Sequence, residues 1–246
     1  MEELREILTG GQSFSWIDEG DCFSATMNEK VYRVRSIDDF RADAFLYGYF
    51  DLDFDYDGAR AAIAAKDDVL RRAVDAFPTL RILRQDPWIA LISFILSQNN
   101  NIKRITGLYH ALSRAYGHEV EKGYWSFPTP RELSRTSIAE LRELRVGFRD
   151  SYIMDAIDKA DILAEIPALD YHDAEARLMG IRGIGKKVAN CVLLFGFHRM
   201  DAFPIDVWIR KILDRYYPGV GLEHFDPYRA LCQQYLFSYA RYLDLD

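Results

Sequence analysis

The sequence predicts an α+β fold, with a small N-terminal antiparallel β-sheet followed by a mostly α-helical bundle. Three short stretches, QSFSWI, CFSATM and VYRVRS, are rich in aromatic and β-branched residues and are separated by polar turns, which is typical of a strand meander. After about Asp38 the apolar residues recur at helical spacing instead. We therefore expect a β-containing domain at 1–80 and a helical domain at 81–246, with a closing helix from 226–246 as a candidate to return to the first domain.

Capping signals mark the helices of the second domain. Asp86 and Pro87 are a suitable N-cap and first helical residue, and Gly117 is a suitable helix end. The segment KKVANCVLLFGF is apolar nearly all round, which predicts a buried central helix. The predicted helices cover residues 86–98, 101–117, 150–166, 173–180, 186–197, 205–217 and 226–243, the last beginning at Asp226 and Pro227.

Composition favours a soluble globular protein. Of the 246 residues 49% are hydrophobic and 28% charged, and the formal net charge is −7. The longest apolar stretch, Val188–Phe197, is too short to span a bilayer, and the acidic, amphipathic start MEELREIL does not resemble a signal peptide. We expect a cytoplasmic, bacterial-type monomer with no membrane contact.

Metal and redox centres are poorly supported. The three cysteines lie far apart with no Cys-x-x-Cys pair, and the five histidines are scattered. The stretch DLDFDYDGAR imitates half of a calcium loop, but Ala64 stands where the bidentate Glu is required. We expect Asp57 to cap the following helix instead, and we expect no cofactor.

Basic residues are concentrated in one segment of this acidic chain. Between Arg177 and Arg215 there are eight bases and three acids. A local basic face can bind phosphates even when the net charge is negative.

The stretch GIRGIGKKVANC, residues 180–191, lies within that segment and allows three interpretations. Gly180, Gly185 and Lys186 fit a phosphate-binding loop, but Lys187 replaces the required Ser or Thr and the preceding segment has helical composition. A helix–hairpin–helix motif fits better, because Gly183 and Gly185 permit close backbone approach and the following amides can bind a phosphate. An ordinary helical hairpin remains an alternative.

Lys187 and Asp206 have a chemical interpretation beyond capping and solvation. If the two helices that they begin pack antiparallel, the amine and the carboxylate share one end of the bundle. The helix macrodipole and Lys186 disfavour the ammonium form of Lys187, and a neutral amine is a nucleophile that forms Schiff bases. A carboxylate nearby can stabilise positive charge on a sugar as a glycosidic bond breaks.

IRGIGKKVANC followed by FPIDVW resembles the helix–hairpin–helix (HhH-GPD) DNA glycosylases, and four further segments resemble their 8-oxoguanine DNA glycosylase/AP lyase branch. These are GGQSFSW, LRQDPWIALISFILSQNNNIKRITG, VGFRDSY and CQQYLFS. The resemblance implies that Lys187 is the nucleophile, Asp206 the catalytic carboxylate, and the Gly11 carbonyl the acceptor for the N7–H of the lesion. It implies that Cys191 and Phe237 sandwich the flipped base, and that Gln233 reads its Watson–Crick edge.

The same resemblance implies contacts with the rest of the DNA. Asn99 would fill the vacated stack, Arg104 and Arg149 would read the opposite cytosine, and Phe148 would be the wedge beside it. The hairpin residues Gly183, Gly185 and Lys186 would contact phosphate, and the carbonyls of Met179, Ile181 and Ile184 are candidate ligands of a monovalent cation. The chain departs from the family pattern at Arg182, Phe148 and Trp208.

The expected function is excision of 8-oxoguanine opposite cytosine from duplex DNA by a bifunctional glycosylase/lyase. The protein would be associated with the nucleoid when it is bound to DNA. Two alternatives stay open: a glycosylase for another damaged base, and a non-catalytic helix–hairpin–helix DNA-binding protein. The latter would need Gly183 and Gly185, but neither Lys187 nor Asp206.

Overall fold

The computed structural model describes residues 1–244 as a mostly helical fold with a small N-terminal sheet, which confirms the predicted fold class. The strands are β1 (Ile17–Asp18), β2 (Phe23–Met27), β3 (Lys30–Val34), β4 (Glu119–Glu121) and β5 (Tyr124–Trp125). The helices are α1 (Glu2–Thr9), α2 (Ile37–Arg41), α3 (Ala44–Tyr49), α4 (Tyr56–Ala64), α5 (Asp68–Ala76), α6 (Pro87–Ser97), α7 (Ile102–Tyr116), α8 (Pro130–Leu133), α9 (Ile138–Glu143), α10 (Asp150–Asp158), α11 (Ile162–Glu165), α12 (Tyr171–Met179), α13 (Lys186–Phe197), α14 (Val207–Tyr216) and α15 (Arg229–Tyr242).

The N-terminal sheet is antiparallel in the order β1-β2-β3, with Ile17 opposite Ser24 and Phe23 opposite Val34. Its first strand is shorter than predicted, because residues 12–16 are buried in a loop that bonds to other segments instead of to β2. The β4–β5 hairpin was not predicted; it lies beside β3, to which an ion pair between Arg33 and Glu121 ties it.

Helices α6 and α13 pack together at the centre of the fold. The rings of Phe94 and Phe195 stack with centroids 5.2 Å apart, and a Cβ added at Gly196 would lie 3.0 Å from the Cα of Pro87. An alanine at this position would therefore require α6 and α13 to move apart by a few tenths of an ångström. The prediction of a buried central helix is confirmed, because residues 188–195 of α13 are all buried.

Three local predictions were wrong. Asp55, not Asp57, caps α4 by accepting a hydrogen bond from the Gly58 amide at 2.9 Å, while Asp57 lies in the first turn and pairs with Arg60. Residues 150–166 form two helices, α10 and α11, separated by a turn. The last helix begins at Arg229, because the Asp226 carboxylate pairs with that guanidinium and leaves the cap position to Tyr228; the Asp226–Pro227 peptide is cis.

The two ends of the chain are in contact. Helix α15 packs on α14 and α5, and its Ser238 and Arg241 side chains bond to Glu6 of α1. A second connection joins the buried Asp51 to Arg84 and His198. No helix within residues 1–244 is long and apolar enough to cross a membrane.

Candidate active site

An open cleft of about 870 Å³ lies at the end of the bundle where α13 and α14 begin. Its walls come from the loop after α1, the α6–α7 junction, α13, the segment before α14, and α15. Seven of the residues singled out from the sequence line it: Gly11, Asn99, Lys187, Cys191, Asp206, Gln233 and Phe237. Five separate parts of the chain are thus brought to one cavity.

Lys187 extends from the first turn of α13 into this cleft. Its Nζ donates a hydrogen bond to the Oγ of Ser97 at 3.2 Å and lies 5.4 Å from the centroid of the Phe94 ring. Ser97 in turn donates its hydroxyl proton to the Phe94 carbonyl at 2.8 Å. The adjacent Lys186 is exposed and does not line the cleft, so only one of the two lysines is placed for chemistry here.

Asp206 occupies the N-cap of α14, where its carboxylate accepts a hydrogen bond from the Ile209 amide at 2.9 Å. Burial raises its pKa, against the opposing effects of that hydrogen bond and of the positive charge of Lys187. The amine and the carboxylate therefore interact electrostatically across the cleft, because the segment after α13 returns the chain to the end of the bundle where α13 begins.

A buried asparagine holds the segment that carries Asp206. The Nδ2 of Asn190 donates to the carbonyl of Lys186 at 2.8 Å and to Glu175 at 2.5 Å, while its Oδ1 accepts from the amide of Phe203 at 3.4 Å. The Tyr171 hydroxyl also donates to Oδ1. This side chain ties α12, α13 and the loop before α14 together.

Cys191 lies one helical turn after Lys187 and is 3% exposed. Burial raises the pKa of its thiol to about 11, although the neighbouring Lys187 opposes that shift. The side chain is thus a neutral, polarisable surface in the cleft wall rather than a thiolate nucleophile.

Gly11 has φ +114°, and an added Cβ would lie 3.2 Å from Ile102 Cδ1 and 3.5 Å from Phe237 Cε1. No donor within residues 1–244 reaches its carbonyl, which remains available as an acceptor. The neighbouring Gln12 is fully buried; its side chain bonds to the carbonyl of Arg81 and the amide of Leu83, at 2.8 and 3.1 Å. These bonds anchor the loop that carries the glycine.

Gln233 has an unsatisfied acceptor. Its Nε2 donates to the Pro204 carbonyl at 3.0 Å, whereas its Oε1 is buried without a partner among the described residues. A buried polar atom without a partner costs about 1–3 kcal/mol. A ligand that presents a donor in the cleft would remove that cost.

A second group of predicted residues lies beside the cleft. Arg149 is 3% exposed; its guanidinium bonds to the carbonyls of Gln98 and Asn99 and lies 4.5 Å from the ring of Phe148. Burial and the nearby charge of Arg104 lower the pKa of Arg149. Phe148 itself is 51% exposed. These residues surround the Asn99 loop, where the backbone has φ +48°.

Two glycines of the hairpin between α12 and α13 differ in backbone conformation and in the space around their Cα atoms. Gly183 has φ +79°, and an added Cβ would collide with the Tyr152 ring, whereas a Cβ at Gly185 would meet nothing within 4 Å. Gly185 is the N-cap of α13, and no side chain within the described chain caps it. The first amides of the helix are therefore open to an anion from outside.

The hairpin carbonyls give limited support to a cation site. The Ile181 carbonyl already accepts from the Ile184 amide at 3.1 Å, and the ammonium of Lys159 binds the intervening Gly180 carbonyl at 2.8 Å. No cluster of three or more His, Cys, Asp or Glu side chains suited to a metal occurs within residues 1–244.

Sequence reasoning missed Ser97, which contacts Lys187, and it missed Gln12 and Arg241, whose hydrogen bonds hold the loop that carries Gly11. Their partners are far away along the chain, so spacing gave no signal. Asn190 could have been found, because a lone amide in an otherwise apolar helix requires hydrogen-bond partners.

Comparison with known proteins assigns the chain to a family. Residues 92–225, more than half of the chain, match the HhH-GPD superfamily of base excision DNA repair proteins. Residues 40–91 match the N-terminal domain of 8-oxoguanine DNA glycosylase. The chain belongs to the 8-oxoguanine DNA glycosylase branch of the HhH-GPD superfamily, which confirms the resemblance and places it among the N-glycosylase/DNA lyases.

Individual relatives agree. The N-glycosylase/DNA lyase of Saccharomyces cerevisiae is 34% identical over 87% of this chain and 68% of its own length. MBOgg1, solved with a low-affinity DNA ligand, matches 99% of this chain and 92% of its own with a TM-score of 0.88 and 34% identity. The Clostridium acetobutylicum 8-oxoguanine glycosylase/lyase, solved with duplex DNA containing cytosine opposite 8-oxoG, has a TM-score of 0.88 and 31% identity, over 98% of this chain and 92% of its own.

Proposed function

We propose that this protein excises 8-oxoguanine paired with cytosine from duplex DNA, through a Schiff base on Lys187 followed by β-elimination. The observation that carries the proposal is the meeting of Lys187 and Asp206 in one cleft with Gly11, Cys191, Gln233 and Phe237. A binding module would have no use for a nucleophilic amine and a buried carboxylate beside a pocket for a base.

The chemistry follows from the position of the amine. The neutral Nζ of Lys187 attacks C1′ of the damaged nucleotide, and the C1′–N9 bond breaks with its electron pair moving to the departing base, which takes up a proton. The attached amine then gives up a proton, the C1′–O4′ bond breaks with its electron pair moving to O4′, which is protonated to a hydroxyl group, and the imine is left. Removal of a proton from C2′ expels the 3′ phosphate, and water later hydrolyses the imine to free the lysine.

Asp206 acts electrostatically in this scheme. Positive charge develops on the sugar as the glycosidic bond breaks, and a carboxylate held in a partly buried site stabilises it more strongly than one in water. The hydrogen bond from the Ile209 amide keeps the carboxylate in place, and the loop anchored by Asn190 fixes its distance from Lys187.

Base selection depends on whether N7 of the flipped base is a hydrogen-bond acceptor or a donor. Guanine presents an acceptor at N7, whereas 8-oxoguanine presents an N–H donor there, so the free carbonyl of Gly11 favours the lesion and repels guanine. The base would lie between Cys191 and Phe237, with the unsatisfied Oε1 of Gln233 accepting from its Watson–Crick edge. These contacts offset the few kcal/mol needed to flip the base.

Opposite-base reading and DNA positioning come from the residues around the Asn99 loop and the hairpin. Arg104, Phe148 and Arg149 lie together beside Asn99, which supports their use on the strand that contains cytosine. The open amides at Gly185 and the exposed Lys186 support a phosphate contact. Since one chain supplies the whole cleft, we propose that the protein acts as a monomer.

Borohydride trapping tests the proposal. The protein is incubated with duplexes that carry 8-oxoguanine opposite each of the four bases, and borohydride is added to reduce the imine. We expect a covalent adduct, strongest opposite cytosine, that Lys187→Gln abolishes. An adduct on a different lesion but not on 8-oxoguanine would overturn the substrate; no adduct on any lesion would overturn the Schiff base.

A further inference from the structure

Arg241 joins two neighbouring segments of the chain that line the cleft. Its Nη1 donates to the Gly10 carbonyl at 2.6 Å and to the Glu6 carboxylate at 3.0 Å. Its guanidinium carbon also lies 5.3 Å from the centroid of the Phe237 ring. One side chain near the end of α15 therefore contacts both the loop that carries Gly11 and the ring proposed to stack on the base.

The bond to Gly10 fixes the peptide immediately before the lesion-reading glycine. Glycine has little intrinsic preference among backbone conformations, so the direction of the Gly11 carbonyl has to be imposed from outside. On the downstream side, Gln85 Nε2 donates to the Gln12 carbonyl at 2.8 Å. On the upstream side, Arg241 holds the Gly10 carbonyl. The Gly11 carbonyl thus lies between two peptide planes, each held by a side chain from another element.

The surroundings of Arg241 support a fixed position. Glu6 neutralises its charge and is itself held by the Ser238 hydroxyl at 2.7 Å. The Arg241 and Glu6 side chains are 28% and 25% exposed, so the pair is partly shielded from water. Two hydrogen bonds from one guanidinium nitrogen restrict its position more than a single exposed ion pair does.

We propose that Arg241 is a positioning residue for base selection, which orients the Gly11 carbonyl and the Phe237 ring toward the flipped base. This inference rests on the proposed function. It assigns to Arg241 no part in the attack of Lys187 on the sugar. A preformed abasic site has no base to select, so its reaction with Lys187 does not depend on the arrangement that Arg241 maintains.

Two substrates separate this role from a purely structural one. Single-turnover excision is measured on a duplex with 8-oxoguanine opposite cytosine, and borohydride trapping is measured on the same duplex with a preformed abasic site. Arg241→Met keeps an apolar stem over Phe237 but loses both hydrogen bonds. We expect excision to fall at least about tenfold while trapping at the abasic site stays within about twofold.

Two further variants complete the test. Arg241→Lys keeps the positive charge near Asp206 but has a shorter side chain without the planar guanidinium, and should show an intermediate rate of excision. Arg229→Met removes another arginine of α15, whose partner Asp226 does not line the cleft, and should leave both rates unchanged. If Arg241→Met does not fold, as judged by circular dichroism, the ratio of the two rates in Arg241→Lys decides instead.

The results that would overturn the role of Arg241 differ from the result that would overturn the proposed function. If excision and abasic trapping fall in parallel, or if neither changes, Arg241 does not position the base reader. If the wild-type protein traps no abasic DNA at all, the Schiff-base function itself is wrong.

Discussion

The Nζ atom of Lys187 donates a hydrogen bond to the Oγ atom of Ser97 at 3.2 Å, which joins the first turn of α13 to the last residue of α6. Because the Ser97 hydroxyl gives its own proton to the Phe94 carbonyl, it acts toward the lysine as an acceptor. One N–H of the amine is then directed at Ser97, which restricts rotation of the amine about the Cε–Nζ bond. We infer that the serine orients the proposed nucleophile.

Replacing this serine should slow the covalent step. We expect Ser97→Ala to reduce the rate of borohydride trapping on abasic DNA about tenfold, because a freely rotating amine spends less time in the attacking geometry. Duplex affinity should change little. Ser97→Thr retains the hydroxyl and should stay close to the wild-type rate. Equal rates for the alanine variant and the wild type would show that the hydrogen bond has no orienting role.

Gly11→Ala should impair selection of the lesion more than DNA binding. The added methyl group would lie 3.2 Å from Ile102 and 3.5 Å from Phe237. The backbone at this position has φ +114°, which residues other than glycine rarely adopt. We expect the ratio of 8-oxoguanine excision to guanine excision to fall by about tenfold or more, while the dissociation constant for undamaged duplex stays within about twofold. A parallel loss of both would argue against the carbonyl as reader.

The two hairpin glycines should respond differently to alanine. Gly183→Ala forces a side chain against the Tyr152 ring at φ +79°, and should lower the free energy of unfolding by about 1–3 kcal/mol. A methyl group at Gly185 would meet no atom within 4 Å, and the backbone there has no positive φ, so Gly185→Ala should not change the free energy of unfolding. Its affinity for duplex DNA should fall, because the methyl group would obstruct a phosphate. Thermal melts and duplex titrations of the pair would separate the effects. Weakened binding without lost stability in Gly183→Ala would contradict this assignment.

Acid should destabilise the protein through Asp51. Burial opposes the ionisation of this carboxyl, but hydrogen bonds from His198 and Arg84 outweigh it and lower its pKa from 3.8 to about 2. A carboxyl whose pKa is depressed by folding stabilises the protein above its unfolded pKa, here by about 2 kcal/mol. That stabilisation should be lost as the pH falls from about 4 toward 2.

Unfolding measured against pH would test this. Asp51→Asn should be less stable than the wild type at neutral pH, and the difference should shrink as the pH falls from about 4 toward 2. Asp53→Asn changes an exposed carboxylate two residues away and should keep the wild-type pH dependence. The same slope in Asp51→Asn and the wild type would show that another group controls acid stability.

The parts of the fold that local sequence determines were predicted. Asp86 before Pro87 begins α6, the apolar run 188–195 is buried in α13, and Asp206 caps α14, because caps and periodicity act within a few residues. The choice of Asp57 as a cap was wrong for a related reason. Several aspartates in that stretch could serve, and only the tertiary path of the chain selects Asp55.

Contacts between distant segments were beyond local patterns. The bonds from Ser97 to Lys187 and from Arg241 to Gly10 join residues 90 and 231 positions apart, and no spacing rule relates them. The resemblance to the glycosylases assigned roles to seven of the residues that line the cleft, because it carries long-range information that composition and periodicity do not. It did not assign Ser97, Gln12 or Arg241, whose roles follow from the hydrogen bonds.

The location of the covalent bond is the most direct test of the account. The chain has two adjacent lysines at the hairpin, of which Lys186 is exposed and Lys187 lines the cleft. After borohydride reduction on a duplex with 8-oxoguanine opposite cytosine, proteolysis and fragmentation mass spectrometry would show which residue carries the sugar remnant. We predict that the remnant is on Lys187, and that Lys186→Gln still forms the adduct. A remnant on Lys186, or on any other residue, would contradict the mechanism.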